Sequence, residues 1–142
     1  MAGKSILILG GGVGGLVAAN AVRRKLGKEH RVILVDKKSR YEFTPSFLWL
    51  MMGWREPRQI TKDLSLLNRK GIEYVNGQVL KIDPANRLVK TNAKEIGYDY
   101  LLVALGADLA HETIPGLERT SHHFYEFEAV DRLRETLKGF LG

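Results

Sequence analysis

The chain has 142 residues, 44% of them hydrophobic, and a formal net charge of +6, the size and composition of one globular domain with a sizeable core. It has no cysteine, which excludes a structural disulfide and thiol chemistry from these residues. The opening residues lack the apolar region and small-residue cleavage site of a signal peptide, and the longest strongly apolar run, Phe47 to Met52, is far shorter than the ~20 residues that cross a bilayer, so the expectation is a soluble, cytoplasmic protein.

In chain order, Ser5 to Leu9 reads as a short apolar strand, and Gly10-Gly11-Gly12-Val13-Gly14-Gly15 follows at once. Val13 to Lys25 carries a helical pattern, and Arg31 to Asp36 reads as a second strand ending in a carboxylate. This is the order of a dinucleotide-binding βαβ unit. Gly10 permits the turn off the strand, Gly12 has no Cβ to hold the backbone away from a pyrophosphate, and Gly15 lets the helix approach the strands. The pyrophosphate would lie where free backbone N–H groups and the positive end of the helix dipole converge. Asp36 would accept hydrogen bonds from a ribose 2′-OH, and its charge argues against a 2′-phosphate, hence against NADP.

The helix pattern places Val13, Leu16, Val17, Ala21, Val22 and Leu26 on one apolar stripe, with Gly27 as the stop. Arg31 to Val35 is nearly continuous in apolar character, as suits a parallel strand covered on both faces. Lys37 to Thr44 reads as a polar connection, and Pro45 can open a short helix. Phe47, Leu48, Trp49, Leu50, Met51, Met52 and Trp54 form the densest apolar cluster, which Pro57 ends. This segment either packs on the sheet or lines an apolar cavity beside a planar ring.

Asp63 to Leu67 reads as a short helix capped by Thr61 or Asp63 and closed by Gly71. Ile72–Val75, Gln78–Asp83 and Arg87–Lys90 are strand-like, separated by the turns Asn76-Gly77 and Asp83-Pro84-Ala85-Asn86. They suggest a small antiparallel meander. Tyr98 to Gly106 returns to a buried-strand pattern. Ala107 to Ser121 reads as a linker, and Glu126 to Phe140 as an amphipathic helix with Phe127, Val130, Leu133, Leu137 and Phe140 on one face. Because that face reaches the terminus at Gly142, the chain is expected to be a piece of a longer one. The expected fold class is thus α/β: a Rossmann-like βαβ parallel sheet with a small antiparallel β-meander and a C-terminal helix. Residues 1–106 would form the nucleotide-binding part, and 107–142 a linker and helix leading toward a further domain.

His30, His111, His122 and His123 show no metal-ligand spacing with carboxylates, and no metal site is expected. The basic residues gather in Arg23–Lys28, Lys37–Arg40 and Arg55–Lys62 without the aromatic interleaving or module of a nucleic-acid binder. The surplus charge suits a solvated surface, an anionic membrane surface or anionic ligands.

With these motifs in place, the chain resembles the FAD-dependent pyridine nucleotide-disulfide oxidoreductase superfamily. Ile6 to Gly15 with Asp36 resembles its ADP-binding fingerprint. Tyr98-Asp99-Tyr100-Leu101-Leu102-Val103-Ala104-Leu105-Gly106 resembles its second flavin-binding strand, with Leu105 where threonine is usual, and Ile114-Pro115-Gly116 resembles the turn that often follows. Thr44-Pro45-Ser46-Phe47 and Gly53-Trp54-Arg55-Glu56-Pro57-Arg58 are similar to the sulfide:quinone oxidoreductase and flavocytochrome c sulfide dehydrogenase branch. The resemblance implies FAD as cofactor, with Gly10, Gly12, Val13, Gly14 and Gly15 in the stretch that holds the pyrophosphate. Asp36 would meet the adenosine ribose with Lys37 beside it, the backbone of Val79 would face the adenine, Pro45 the isoalloxazine, and Ala104 to Gly106 would pass near the diphosphate.

The family reaction moves electrons from sulfide, through redox cysteines and the flavin, to a membrane quinone. Where some members place a first cysteine this chain reads His122-His123-Phe124-Tyr125-Glu126, so no catalytic residue is carried over. Any contact with a membrane would be peripheral and made through regions outside these residues. Two other readings stay open. One is the corresponding part of a type II NADH:quinone oxidoreductase, which takes NADH in place of sulfide, and the other is a non-catalytic Rossmann module that binds NAD or FAD.

Overall fold

The computed structural model describes residues 3–140, so Gly142 lies outside it. The chain runs β1 (Ser5–Leu9), α1 (Val13–Lys25), β2 (Arg31–Asp36), β3 (Arg40–Glu42), a 3-10 turn (Thr44–Ser46), α2 (Phe47–Met51), α3 (Pro57–Ile60) and β4 (Thr61–Asp63). After a 3-10 segment (Leu64–Lys70) come β5 (Glu73–Asn76), β6 (Val79–Asp83), β7 (Leu88–Thr91), β8 (Glu95–Gly97) and β9 (Tyr100–Val103). A 3-10 turn (His111–Thr113), α4 (Leu117–Thr120) and α5 (Phe127–Lys138) complete the order. These elements make two compact units, one of residues 1–41 and 63–106 and one of residues 42–62 and 107–142.

The first unit is built on a four-stranded parallel sheet in the order β5-β2-β1-β9. Leu7, Ile8 and Leu9 of β1 and Ile33, Leu34 and Val35 of β2 are fully buried, as the continuous apolar runs require when both sheet faces are covered. Each such side chain contributes about 1.5–3 kcal/mol of transfer free energy. One face packs Leu7, Leu9, Ile33 and Val35 with Val75, Val89 and Ile96. The other packs Ile8, Val32 and Leu34 with Ala19, Leu64, Leu67 and Ile72.

Several sequence expectations shift here. Gly15 and Ala19 are the buried positions of α1, and Leu16 and Val22 of the expected stripe pack partly against the same core, while Val13 and Val17 are 54% and 62% exposed, so only part of the stripe meets the sheet. Lys37–Thr44 is not wholly a connection, since Arg40–Glu42 forms β3. The Ile72–Val75 stretch, expected in the meander, becomes β5 and pairs in parallel with β2, Leu34 opposite Tyr74 and Asp36 opposite Asn76. Asn76-Gly77 therefore links two sheets and is not a hairpin turn. The antiparallel sheet is β6-β7-β8, its third strand supplied by Glu95–Gly97. β9 lies at the sheet edge, with Tyr100 and Val103 largely exposed, contrary to the buried-strand pattern of 98–106.

Asp63 caps the following 3-10 segment by accepting from the Ser65 N–H at 2.7 Å, and Gly71 closes it at φ +73°, the left-handed conformation that glycine adopts without strain.

In the second unit, Phe47 and Leu50 of α2 and Ile60 of α3 pack on Phe127 and Val130 of α5. Phe47 and Phe127 meet edge-to-face at 6.1 Å, a favoured aromatic geometry. Within this unit the apolar 47–54 segment thus buries Phe47 and Leu50 against a helix. Pro57 begins α3, which is held by a reciprocal capping box between Glu56 and Gln59. The stretch read as a linker contains a 3-10 turn and α4. Leu137 and Phe140, expected on the apolar face of the last helix, are exposed.

Candidate functional site

The first unit gathers its distinctive backbone at the carboxyl ends of β1, β2 and β9. In the order β5-β2-β1-β9 the chain moves from β1 to β2 on one side and to β9 on the other, and such a reversal opens the crevice where open α/β sheets bind ligands. The crevice floor is set by two hydrogen bonds. The Gly10 N–H donates to the Val35 carbonyl, and the Ala104 N–H to the Leu9 carbonyl, both at 2.8 Å.

Each glycine has a separate geometric cause. Gly10 has φ +103°, and a Cβ there would lie 2.1 Å from the Ala104 carbonyl oxygen. A Cβ on Gly15 would lie 1.8 Å from the Gly10 carbonyl oxygen, so only glycine allows α1 to cross the turn this closely. Gly12 differs, since a Cβ there would meet nothing within 4 Å, and the residue is the exposed N-cap of α1 with no side-chain cap. The first turn of α1 carries no acidic residue. Free N–H groups and the positive helix end therefore face an open space that an anion fits and a side chain at residue 12 would fill. A Cβ on Gly14 would come 3.8 Å from that of Ala104, which sets Ala104 beside the mouth of the turn.

Asp36 ends β2 half-buried. Its Oδ2 accepts from the Gly11 N–H at 2.5 Å and its Oδ1 from the Lys38 N–H at 2.6 Å. These contacts leave further lone pairs on both oxygens for a hydroxyl donor. Lys37 follows, exposed.

Gly10 to Gly15, Asp36 and Ala104 are brought together. Val79 begins β6 and packs partly against the core; two residues before it, the Gly77 N–H donates to the Asp36 carbonyl at 2.9 Å. Gly106 has φ +79° and open space around it. Pro45 belongs to the second unit, exposed in the Thr44–Ser46 turn. Sequence reasoning assigned no part to the bond from Gly11 to Asp36, nor to Tyr74 and Asn76, which hydrogen-bond the backbone of residues 36–38. The register between β2 and β5 carries that signal, which the apolar pattern of residues 72–75 does not reveal.

Among the described residues no helix is long and apolar enough to cross a membrane.

Comparison with known proteins agrees with this geometry. Residues 4–139 match the family model described as pyridine nucleotide-disulphide oxidoreductase. The sulfide-quinone reductase of Aquifex aeolicus is 38% identical over 108 residues, which cover 75% of this chain and 25% of that protein. The mitochondrial sulfide:quinone oxidoreductase of Mus musculus is 30% identical over 95% of this chain and 31% of its own length. An external alternative NAD(P)H-ubiquinone oxidoreductase of Arabidopsis thaliana is 26% identical over 94% of this chain and 25% of its own length. Among solved structures, the sulfide:quinone oxidoreductase of Aquifex aeolicus superposes with a TM-score of 0.87 at 32% identity, over 96% of this chain and 32% of that one. The chain therefore spans about a quarter to a third of the relatives it matches. With the family model matched along nearly its whole length and the glycine crevice in place, the chain belongs to the pyridine nucleotide-disulphide oxidoreductase family of flavoproteins.

Proposed function

We propose that this chain is the FAD-binding N-terminal portion of a flavin-dependent oxidoreductase that passes electrons from sulfide to a quinone. The observation that carries the cofactor assignment is the open space at Gly12 beneath the uncapped start of α1. A pyrophosphate needs backbone N–H groups, a positive helix end and no side chain in the way, and all three coincide there. The residues fit the group: Gly10 and Gly15 hold the turn, Gly12, Val13 and Gly14 face the diphosphate, and Asp36 accepts from the adenosine ribose with Lys37 beside it. Val79, Ala104 and Gly106 complete this unit's share of the cofactor set, and Pro45 of the second unit is assigned to the isoalloxazine by the family resemblance alone. When bound, FAD supplies a two-electron acceptor that can pass its electrons on to a quinone. This chain's own residues bind and orient the cofactor, and they include no cysteine to take part in sulfide chemistry.

The identity to the Aquifex aeolicus protein along most of this chain supports sulfide as donor. The relatives named as NAD(P)H-ubiquinone oxidoreductases supply the competing reading. In this account residues 1–106 are the first part of the flavin domain, and 107–142 lead toward the second nucleotide domain of a longer protein. That longer protein would sit peripherally on the inner face of the membrane that holds its quinone.

Reduction kinetics of the full-length protein decide the donor. Rapid flavin bleaching by sulfide with slow bleaching by NADH is the expected result, and the reverse order replaces sulfide with NADH. A chain that binds nucleotide but gives no turnover with either donor in its full-length context is a binding module.

A further inference from the structure

The carboxylate of Asp36 is engaged by the protein's own backbone. Oδ2 holds the Gly11 N–H at 2.5 Å and Oδ1 the Lys38 N–H at 2.6 Å, so Asp36 ties the glycine turn after β1 to the backbone beyond β2. That backbone is in turn held from β5. The Tyr74 hydroxyl donates to the Lys38 carbonyl at 2.8 Å. The Asn76 side-chain amide donates to the carbonyls of Asp36 and Lys37, each at 3.1 Å. Leu64 closes the other side of the turn, where a Cβ on Gly11 would meet Leu64 Cδ1 at 2.9 Å and Asp36 Cβ at 3.1 Å. Strand pairing sets Asp36 opposite Asn76 and Leu34 opposite Tyr74, so both side chains reach residues 36–38 from a fixed register.

We propose that Tyr74 and Asn76 are positioning residues of the nucleotide site: by holding the backbone of residues 36–38 they aim the Asp36 carboxylate at Gly11 and set the glycine turn for the ligand before it binds. The physical gain is preorganisation. A turn whose N–H groups already point outward loses less conformational entropy on binding, and that difference appears in affinity. The proposal rests on the nucleotide-site reading above. It makes β5, which lies outside the glycine fingerprint, a determinant of how tightly the site binds.

The test uses Tyr74→Phe, which keeps the half-buried ring and removes only the hydroxyl, and Asn76→Ala, alone and combined with Asp36→Ala. ADP, which carries the ribose and pyrophosphate without the flavin, is titrated calorimetrically. Exchange of the Gly11 amide is followed by NMR in the ligand-free protein. Tyr74→Phe is expected to weaken ADP binding by roughly three- to ten-fold, the scale of one net hydrogen bond, and to speed Gly11 amide exchange several-fold. In the Asp36→Ala background it has no further effect on either readout, because its influence passes through that carboxylate.

A residue that only stabilises the fold would lower the melting temperature without speeding Gly11 exchange, and would weaken ADP equally in both backgrounds. That pattern, or unchanged Gly11 exchange in both single variants, overturns the proposal. Absence of ADP binding in the unaltered chain would instead overturn the nucleotide-site reading, and Gly11 exchange would still decide whether Tyr74 and Asn76 set the turn.

Discussion

A Cβ added to Gly15 would lie 1.8 Å from the carbonyl oxygen of Gly10. Two glycines of one short turn thus have distinct duties, Gly10 bending the chain off β1 and Gly15 admitting the helix that crosses above it. Gly15→Ala cannot be relieved by a flexible side chain, since the obstructing atom is backbone. The expected loss is at least the ~1–3 kcal/mol of an overpacked core, read as a lower urea midpoint with unchanged slope. A stability equal to that of the unaltered protein would mean the turn is not packed in this way.

Gly12→Val separates binding from folding. The Cβ position has no neighbour within 4 Å, and the backbone is extended at φ −72°, ψ −172°, which a β-branched residue accepts. The thermal melt should fall by no more than a few degrees, the cost of about 1 kcal/mol for a poorer N-cap, while retention of FAD is lost. Full retention of FAD by the folded variant would remove Gly12 from the site.

Asp36→Ala removes an acceptor from the Gly11 and Lys38 N–H groups as well as from the ribose. Nucleotide affinity is expected to fall by about 1–3 kcal/mol, the scale of losing the hydrogen-bond acceptor that meets the ribose, as measured by isothermal calorimetry with ADP.

Acid should weaken the sheet at a definite point. The Arg31 guanidinium, bonded at 2.7 Å, and then the Lys94 ammonium at 3.1 Å hold Glu73 below its ordinary carboxylate value of 4.5. A carboxylate whose folded value is depressed stabilises the fold above its unfolded value and loses that contribution as pH falls through the folded one. The Glu73 side chain is 38% exposed, so solvent screening keeps the effect modest. The stability gap between the unaltered protein and Glu73→Gln should be present at pH 7 and close below pH 4.5. Equal stability of the two proteins at pH 7 would show that the ion pairs contribute nothing.

The sequence was informative where one residue type answers one steric need. The strand, glycine turn, helix and terminal acid of residues 5–36 could be read because each motif position has a backbone cause, and the structure shows those causes at Gly10 and Gly15. Where partners are distant in sequence, the reading failed. Glu73–Asn76 has the same apolar pattern whether it joins a meander or the parallel sheet, and only its pairing with β2 decides. The apolar residues of α2 announce burial without saying against what, and Phe127, eighty residues from Phe47, supplies the answer. The exposed Tyr100 and Val103 show the limit of inferring burial from apolar character alone.

The central claim is that the crevice above Gly12 holds FAD, and its most direct test is visible absorbance of the purified chain after incubation with FAD and desalting, with Gly12→Val treated in parallel and NAD binding followed calorimetrically. The account predicts a retained flavin spectrum in the unaltered chain, a colourless Gly12→Val protein and negligible NAD affinity. A colourless unaltered chain that binds NAD would contradict it, and the sulfide and quinone assignments would fall with the flavin.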